Sequence, residues 1–212
     1  MSTSTGSGST SQARSRLLGT ATRIFYAEGI HSVGVDRIIA EAQVTRATLY
    51  RHFKGKEDLI LAYLQQADQG IRGQVAAVLD QDLVPADTVR AVAGSIAEGI
   101  GSRGFRGCAF LNAAAEFPDP AHPVHRAVLA HRQWFLDTVT ELMGQAGCHP
   151  AETAGRHFVM LRDGAMAAGC LFDPGLICET FLNGVEDLLR TSVATTPSTP
   201  STRSTASRRQ PE

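Results

Sequence analysis

The stretch Val35 to Leu59, VDRIIAEAQVTRATLYRHFKGKEDL, holds the residues best equipped for chemistry. Read as two short helices joined by a tight turn at Gln43-Val44, it forms a helix-turn-helix unit. In the second helix Leu49 and Phe53 stand four positions apart and share one face. With Val44, Ile38 and Ile39 they would make a small core. The other positions are Thr45, Arg46, Ala47, Thr48, Tyr50, Arg51 and His52. Their hydroxyls, guanidiniums, phenol and imidazole suit phosphate oxygens and base edges, and a major groove about 12 Å wide admits one helix. No acidic residue lies between Glu41 and Glu57. A helix that had only to be soluble would more often carry Glu/Lys pairs. Two apolar residues are also what any short amphipathic helix shows, so periodicity alone leaves a plain surface helix open.

Other chemistries lack their residues. There is no G-x-S-x-G and no P-loop, so neither an enzyme nor a cofactor is expected. Cys108, Cys148, Cys170 and Cys178 form no C-x-x-C pair. His122 precedes Pro123, and His125 and His131 miss the i, i+4 spacing that two ligands on one helix need. No metal is expected. The segment MSTSTGSGSTSQ has neither the charged start nor the apolar stretch of a secretory signal, and no apolar run approaches a membrane span of about 18 residues. The expectation is a cytoplasmic protein with free thiols and no membrane partner.

Charge is unevenly placed along the 212 residues, whose formal net charge is −1. Residues 1–60 carry eight Lys and Arg against five Asp and Glu, residues 61–192 nine against fifteen, and residues 193–212 three against one. A basic N-terminal part on an acidic body points one end of the molecule at a polyanion. The bland alternative is a small local excess.

The elements that would position these groups are all helical. There is no sustained period-2 alternation. The first helix is expected from Ser11 to Glu28, with Leu17, Ala21, Ile24 and Phe25 on its buried face and Gly29 ending it. Helices follow from Val35 or Asp36 to Ala42, from Arg46 to Phe53 behind a Thr45 cap, and from Lys56 to Asp80. The last of these carries a stripe of Ile60, Leu64, Ala67, Ile71, Val75 and Val78 or Leu79. Further helices are expected at 86–102, 107–117, 123–146, 150–172 and 175–191, separated by Pro- and Gly-rich turns. The Ser/Thr/Gly-rich residues 1–11 and the Pro-containing residues 193–212 are expected to be disordered tails.

The helix-turn-helix stretch resembles the DNA-binding domain of the TetR (tetracycline-repressor-like) family of bacterial regulators. The likeness covers about residues 12–66. It rests on Phe25 and Gly29, then Ile39-Ala40, Ala42, Val44-Thr45, Thr48-Leu49-Tyr50, Phe53, Lys56 and Leu59. One position departs: the usual turn Gly after Ala42 is Gln43. A positive φ there costs a non-Gly residue about 1 kcal/mol.

The resemblance implies an all-α protein with an N-terminal three-helix helix-turn-helix domain, 12–58, and a larger C-terminal helical domain for ligand binding and dimerisation, 59–192. By position, Thr45 would cap the recognition helix and bond a phosphate. Arg46, Ala47, Thr48 and Arg51 would meet base edges and nearby phosphates, and Tyr50 and His52 the backbone. Lys56 would meet a phosphate at a helix N-terminus. Homodimerisation is expected through the last two helices, at Gly164, Ala165, Ala168, Phe181, Val185 and Leu188, where small residues allow close approach. The alternative is that these faces pack inside one subunit.

For the ligand pocket the candidates are Phe105, Phe110, Leu111, Trp134, Phe158 and Met166, with Asn112, Glu116 and Asp163 as polar points. Two carboxylates among aromatics would favour a hydrophobic, cationic or aromatic effector. Pairing of Glu116 and Asp163 with Arg106, Arg132 or Arg162 would leave a neutral pocket or none. The expected function is a repressor released from palindromic operator DNA by a small molecule, as for a multidrug-responsive regulator. A DNA-binding regulator without an effector and a helix-turn-helix protein-interaction module are the alternatives.

Overall fold

A computed structural model of the chain describes residues 6–193. Among them the elements are α1 (Gly6–Glu28), α2 (Val35–Ala42), α3 (Arg46–His52), α4 (Lys56–Leu79), α5 (Pro85–Gly101), α6 (Ala109–Glu116), α7 (Pro123–Gln145), α8 (Ala151–Ala168) and α9 (Pro174–Val193), with no strand. Of the tails expected to be disordered, 1–11 and 193–212, residues 1–5 and 194–212 lie outside the described residues, and 6–11 and Val193 are helical. The first helix opens at Gly6, ahead of the expected Ser11.

Local chemistry sets most of the boundaries. Gly29, at φ 90°, stops α1. The Thr45 hydroxyl accepts from Thr48 N at 3.1 Å and caps α3. Pro85 and Pro123 open α5 and α7, where a missing N–H costs nothing. Gly107, at φ 82°, delays α6 to Ala109, two residues past the expected start. The fourth-helix stripe resolves in favour of Val78, which is buried, while Leu79 is exposed.

Two buried clusters organise the molecule. In the first, Leu17, Ala21, Ile24 and Phe25 of α1 meet Ile38, Leu49 and Phe53 of α2 and α3. That cluster continues through Leu59, Ile60, Tyr63 and Leu64 of α4 to Phe110 of α6 and Val128 of α7, so the three-helix head is fused to the body. The second cluster fills a bundle of α5, α7, α8 and α9, centred on Phe135, Phe158 and Phe181. The 24-residue α4, about 36 Å long at 1.5 Å per residue, touches α1 on the head and α5 and α7 in the bundle.

At Gly155, α8 packs tightly on α7. A Cβ there would overlap Thr140 Oγ1 and stand 3.0 Å from Thr140 Cα and 3.1 Å from Thr140 Cβ. Overpacking costs typically 1–3 kcal/mol, more than the roughly 1 kcal/mol that helix propensity returns for Gly→Ala. Gly155→Ala should therefore lower stability in urea unfolding by about 1–2 kcal/mol. Gly73→Ala, on an open face of α4, should raise it by about 0.5–1 kcal/mol. Equal responses from the two would contradict the close contact.

Candidate nucleic-acid interface and effector cavity

The turn between α2 and α3 is built without glycine. Gln43 sits at φ 53°, ψ 49°, in the left-handed region, and its N–H bonds Ala40 O at 3.2 Å. Val44 N reaches back to Ile39 O at 3.2 Å, closing the end of α2. The geometry that a glycine would give is thus retained, and Gln43 bears the strain. Leu49 and Phe53 of α3 are buried against Ile38, while Val44 and Ile39 are half-buried. This orients the opposite face of α3 outward. Thr45, Arg46, Ala47, Tyr50 and Arg51 are exposed, Tyr50 to 50%.

Thr48 is half-buried, and its hydroxyl lies 2.9 Å from that of Thr45, so both serve the cap. His52 is half-buried with Nε2 enclosed and unpartnered, which makes it the least available of the expected contacts. Lys56 stands half-buried at the start of α4. Burial draws its ammonium below the usual lysine value, and the charge of Glu116 acts the other way.

Ion pairing decides the sign of this surface. Glu28 and Glu41 are held by Arg37, and Glu41 also by Arg23 at 2.5 Å. Bonding to these arginines lowers both carboxyls from their usual range. Asp36 takes Arg46, with both side chains mostly exposed. Asp58 accepts from Lys54 N at 3.0 Å, and Glu57 lies 3.4 Å from His122. Among the described residues, Arg16, Arg51, Lys54 and Lys56 have no acidic partner, and Arg14 lies 5.1 Å over the Phe53 ring. Among the described residues, Glu28, Asp36 and Glu41 are thus paired with arginines, while Arg51 of α3 and the following Lys54 and Lys56 have no acid within ion-pair reach.

The body holds a cavity of about 480 Å³ between α4, α5, α7 and α8. It opens where small residues face one another: Ala77 on α4, with Ser95 and Gly99 on α5. Phe135, Arg162 and Met166 contribute to its far wall. Of the residues expected in a pocket from sequence, Met166 lines this cavity and none of the expected aromatic or polar residues does.

The other expected pocket residues are engaged elsewhere. Phe110 is buried and stacks on His131 at 3.6 Å. Burial lowers the His131 imidazole below its usual value, against the opposing bond to Asp68. Phe158 lies in the bundle core between Phe135 and Phe181, and Phe105 packs against the same cluster. Trp134 lies under the Arg72 guanidinium at 4.0 Å. Leu111 packs on the head cluster, and Asn112 donates to Arg106 O at 2.9 Å.

The expectation of two carboxylates facing a cation is corrected. Glu116 accepts from Ile30 N at 2.7 Å and from His31 N at 2.5 Å, so it serves the backbone of the head. Asp163 lies between Arg132 Nη1 at 2.8 Å and Arg162 Nη1 at 2.9 Å, the pairing weighed as the alternative.

A second depression, about 680 Å³ and strongly apolar, runs along α8 and α9. Gly164, Ala165, Ala168, Phe181 and Leu188, all expected there, line it. Val185 does not: it is buried inside the subunit, which corrects its assignment to the interface. Sequence reasoning missed Met160 and Leu161. Met160 is 70% exposed, which leaves a large apolar side chain in water.

The arrangement defines a helix-turn-helix head on a helical bundle with a cavity open to solvent between α4 and α5. A sequence profile described as "Bacterial regulatory proteins, tetR family" matches residues 17–63. A crystal structure of a TetR-family transcriptional regulator from Streptomyces coelicolor is 75% identical, covers 86% of this chain and 96% of its own, and superposes with a TM-score of 0.84. The HTH-type transcriptional regulator LmrA of Bacillus subtilis is 31% identical over 80 residues, 37% of this chain and 43% of LmrA. The HTH-type transcriptional activator FasR of Mycolicibacterium smegmatis is 40% identical over 55 residues, 26% of this chain and 25% of FasR. The chain thus spans less than half the length of these two curated relatives. It belongs to the TetR family of bacterial regulatory proteins, whose named members here are transcriptional regulators and not enzymes.

If Gln43 bears the turn strain, Gln43→Gly should relieve it. The left-handed penalty of about 1–2 kcal/mol is partly offset by the extra freedom of glycine in the unfolded chain. A rise in unfolding free energy of up to about 1 kcal/mol is expected, with duplex binding unchanged. A loss of stability would contradict the assignment.

Proposed function

We propose that this chain is a homodimeric transcriptional repressor. It acts in the cytoplasm, reads palindromic operator DNA through α3, and leaves the operator when a hydrophobic molecule fills the cavity between α4, α5, α7 and α8. The observation that carries this reading is the outward face of α3: Arg46, Tyr50 and Arg51 stand exposed beside cations whose local acids are already paired.

In the proposed complex α3 lies in the major groove. Arg46 leaves Asp36, an exposed and hence weak partner, for a base edge or phosphate. Arg51, Ala47 and Thr48 face bases and nearby phosphates. Thr45, Tyr50, His52 and Lys56 meet the backbone, Lys56 with the N-terminus of α4 behind it. Tyr50→Ala and Lys56→Ala should weaken binding to all duplexes. Loss of the Lys56 charge should flatten the slope of log K against log salt by about 0.9, and loss of the uncharged Tyr50 phenol should leave the slope unchanged. Arg46→Ala and Arg51→Ala should also change sequence preference. Gel shifts against the DNA upstream of the chain's own gene check this. Undiminished affinity in a folded Arg46/Tyr50/Lys56 triple alanine variant would refute the reading.

Pairing of the α8–α9 faces about a two-fold axis would bury Met160 and the small residues Gly164, Ala168 and Gly184 in a four-helix interface. Phe181 is too deeply buried for a clean test, since a charge there would unfold the subunit. Ala168 is half-buried in the single subunit. Ala168→Arg should leave the fold intact and shift light scattering from dimer toward monomer, because a charge in an apolar interface costs several kcal/mol. An unchanged dimer would place the interface elsewhere.

Release from DNA requires the effector to bind the DNA-incompetent arrangement more tightly. A coupling of about 1–3 kcal/mol corresponds to roughly 5–150-fold in operator affinity.

A further inference from the structure

We propose that the effector cavity takes an apolar molecule bearing a single carboxylate, with Arg162 as its counter-ion. This rests on reading that cavity as the effector site. Arg162 is a cavity-wall residue and only 3% exposed. A guanidinium carries five N–H donors and cannot shed its charge. Here it has few acceptors. Nη1 donates to Asp163 Oδ1 at 2.9 Å, Nη2 reaches Cys108 Sγ at 3.5 Å, and Nε is enclosed with no partner. A thiol sulfur is a weak acceptor.

Asp163 cannot neutralise Arg162 alone, because its carboxylate also binds Arg132 at 2.8 Å. Two guanidiniums therefore share one carboxylate, and the cluster holds an uncompensated positive charge. The Phe135 ring, 5.1 Å from the Arg162 guanidinium carbon, covers it without supplying an anion. Glu98 is the acidic residue on the cavity wall, and it is exposed to solvent. Gln74 and Ser95 are neutral.

A buried, partly unsatisfied cation is costly unless an anion completes it. A carboxylate matches the guanidinium fork, as a phosphate does, and with its single charge costs less to bring among apolar walls than a phosphate dianion. The remaining walls, including Ile71, Val75, Val92 and Ile96, are apolar and suit an aliphatic or aromatic tail. The size of the cavity is within the range that holds small organic ligands. A cationic effector would meet Arg162, which reverses the charge preference expected from sequence.

The test titrates the full-length protein by calorimetry with 4-phenylbutanoate, 4-phenylbutanol and 4-phenylbutylamine, and with octanoate, octanol and octylamine. The carboxylates should bind roughly tenfold or more tightly than the matched alcohols and amines. Arg162→Gln should remove that advantage and leave alcohol binding unchanged. Because Arg162→Gln could fail to fold, Ser95→Phe, which fills the cavity from α5, is run beside it and should abolish binding of all three groups. If alcohols or amines bind as tightly as carboxylates, yet Ser95→Phe blocks them, the cavity reading survives and the charge proposal is overturned. If no probe binds, or if Ser95→Phe changes nothing, the cavity reading falls and this proposal with it.

Discussion

The arrangement depends on one carboxylate. Glu116, the last residue of α6, accepts the backbone N–H groups of Ile30 and His31 just after α1 ends at Gly29. A left-handed glycine turns the chain so that these amides point away from the helix they would otherwise continue. Charge-assisted bonds of this kind are about twice as strong as neutral ones. Tyr26 adds a second tie, donating to Gly107 O at 2.9 Å and accepting from Arg106 N at 2.9 Å. Burial raises its phenol above the usual value, which keeps the donor proton in place. Head and body are thus joined by polar bonds as well as by the continuous cluster through α4. A dimer that reads two half-sites about 34–36 Å apart needs its heads held in this way.

The start of the same short helix meets a wall residue of the proposed effector cavity. Cys108, which precedes α6, contacts Arg162 of the cavity wall, and Glu116 at the other end holds the head. Eight residues of helix separate the two ends. A ligand that draws Arg162 toward itself alters its contact with Cys108, and α6 has little freedom to absorb a shift because Phe110 and Ala113 are buried. This gives the proposed release of DNA a physical route from the cavity wall to the turn after α1 in the head, through groups that already touch.

What was legible in the sequence was local. The stripe of α1, the Thr45 cap, the prolines opening α5 and α7 and the inward pair Leu49 and Phe53 are all set by residues a few positions apart. The left-handed turn at Gln43 was marked as the departure from the family pattern, and the structure retains the conformation with glutamine in it. The cavity was not legible, because it is an absence of side chains where α4 and α5 both present small residues, and no periodicity records that. Aromatic residues misled for the same reason: Phe110 and Phe158 fill the cores that surround the space. Glu116 and its amide partners are 85 and 86 positions apart, and Asp163 lies 31 from Arg132. Spacing carries no information over such separations, although the excess of arginine around Asp163 was a usable signal that the acid was paired. Val185 failed differently, because one helix offers two apolar faces and only packing shows which one is covered.

Selection of binding sites from a random duplex pool tests the central claim most directly, run on the wild-type protein and on Glu116→Ala. If a dimer reads DNA with heads fixed by Glu116, the wild type should enrich a palindrome whose half-sites keep one separation, a helical turn or a multiple of it. Glu116→Ala should enrich the same half-site with relaxed spacing. Wild-type enrichment of isolated half-sites, or of no sequence at all, would contradict the account.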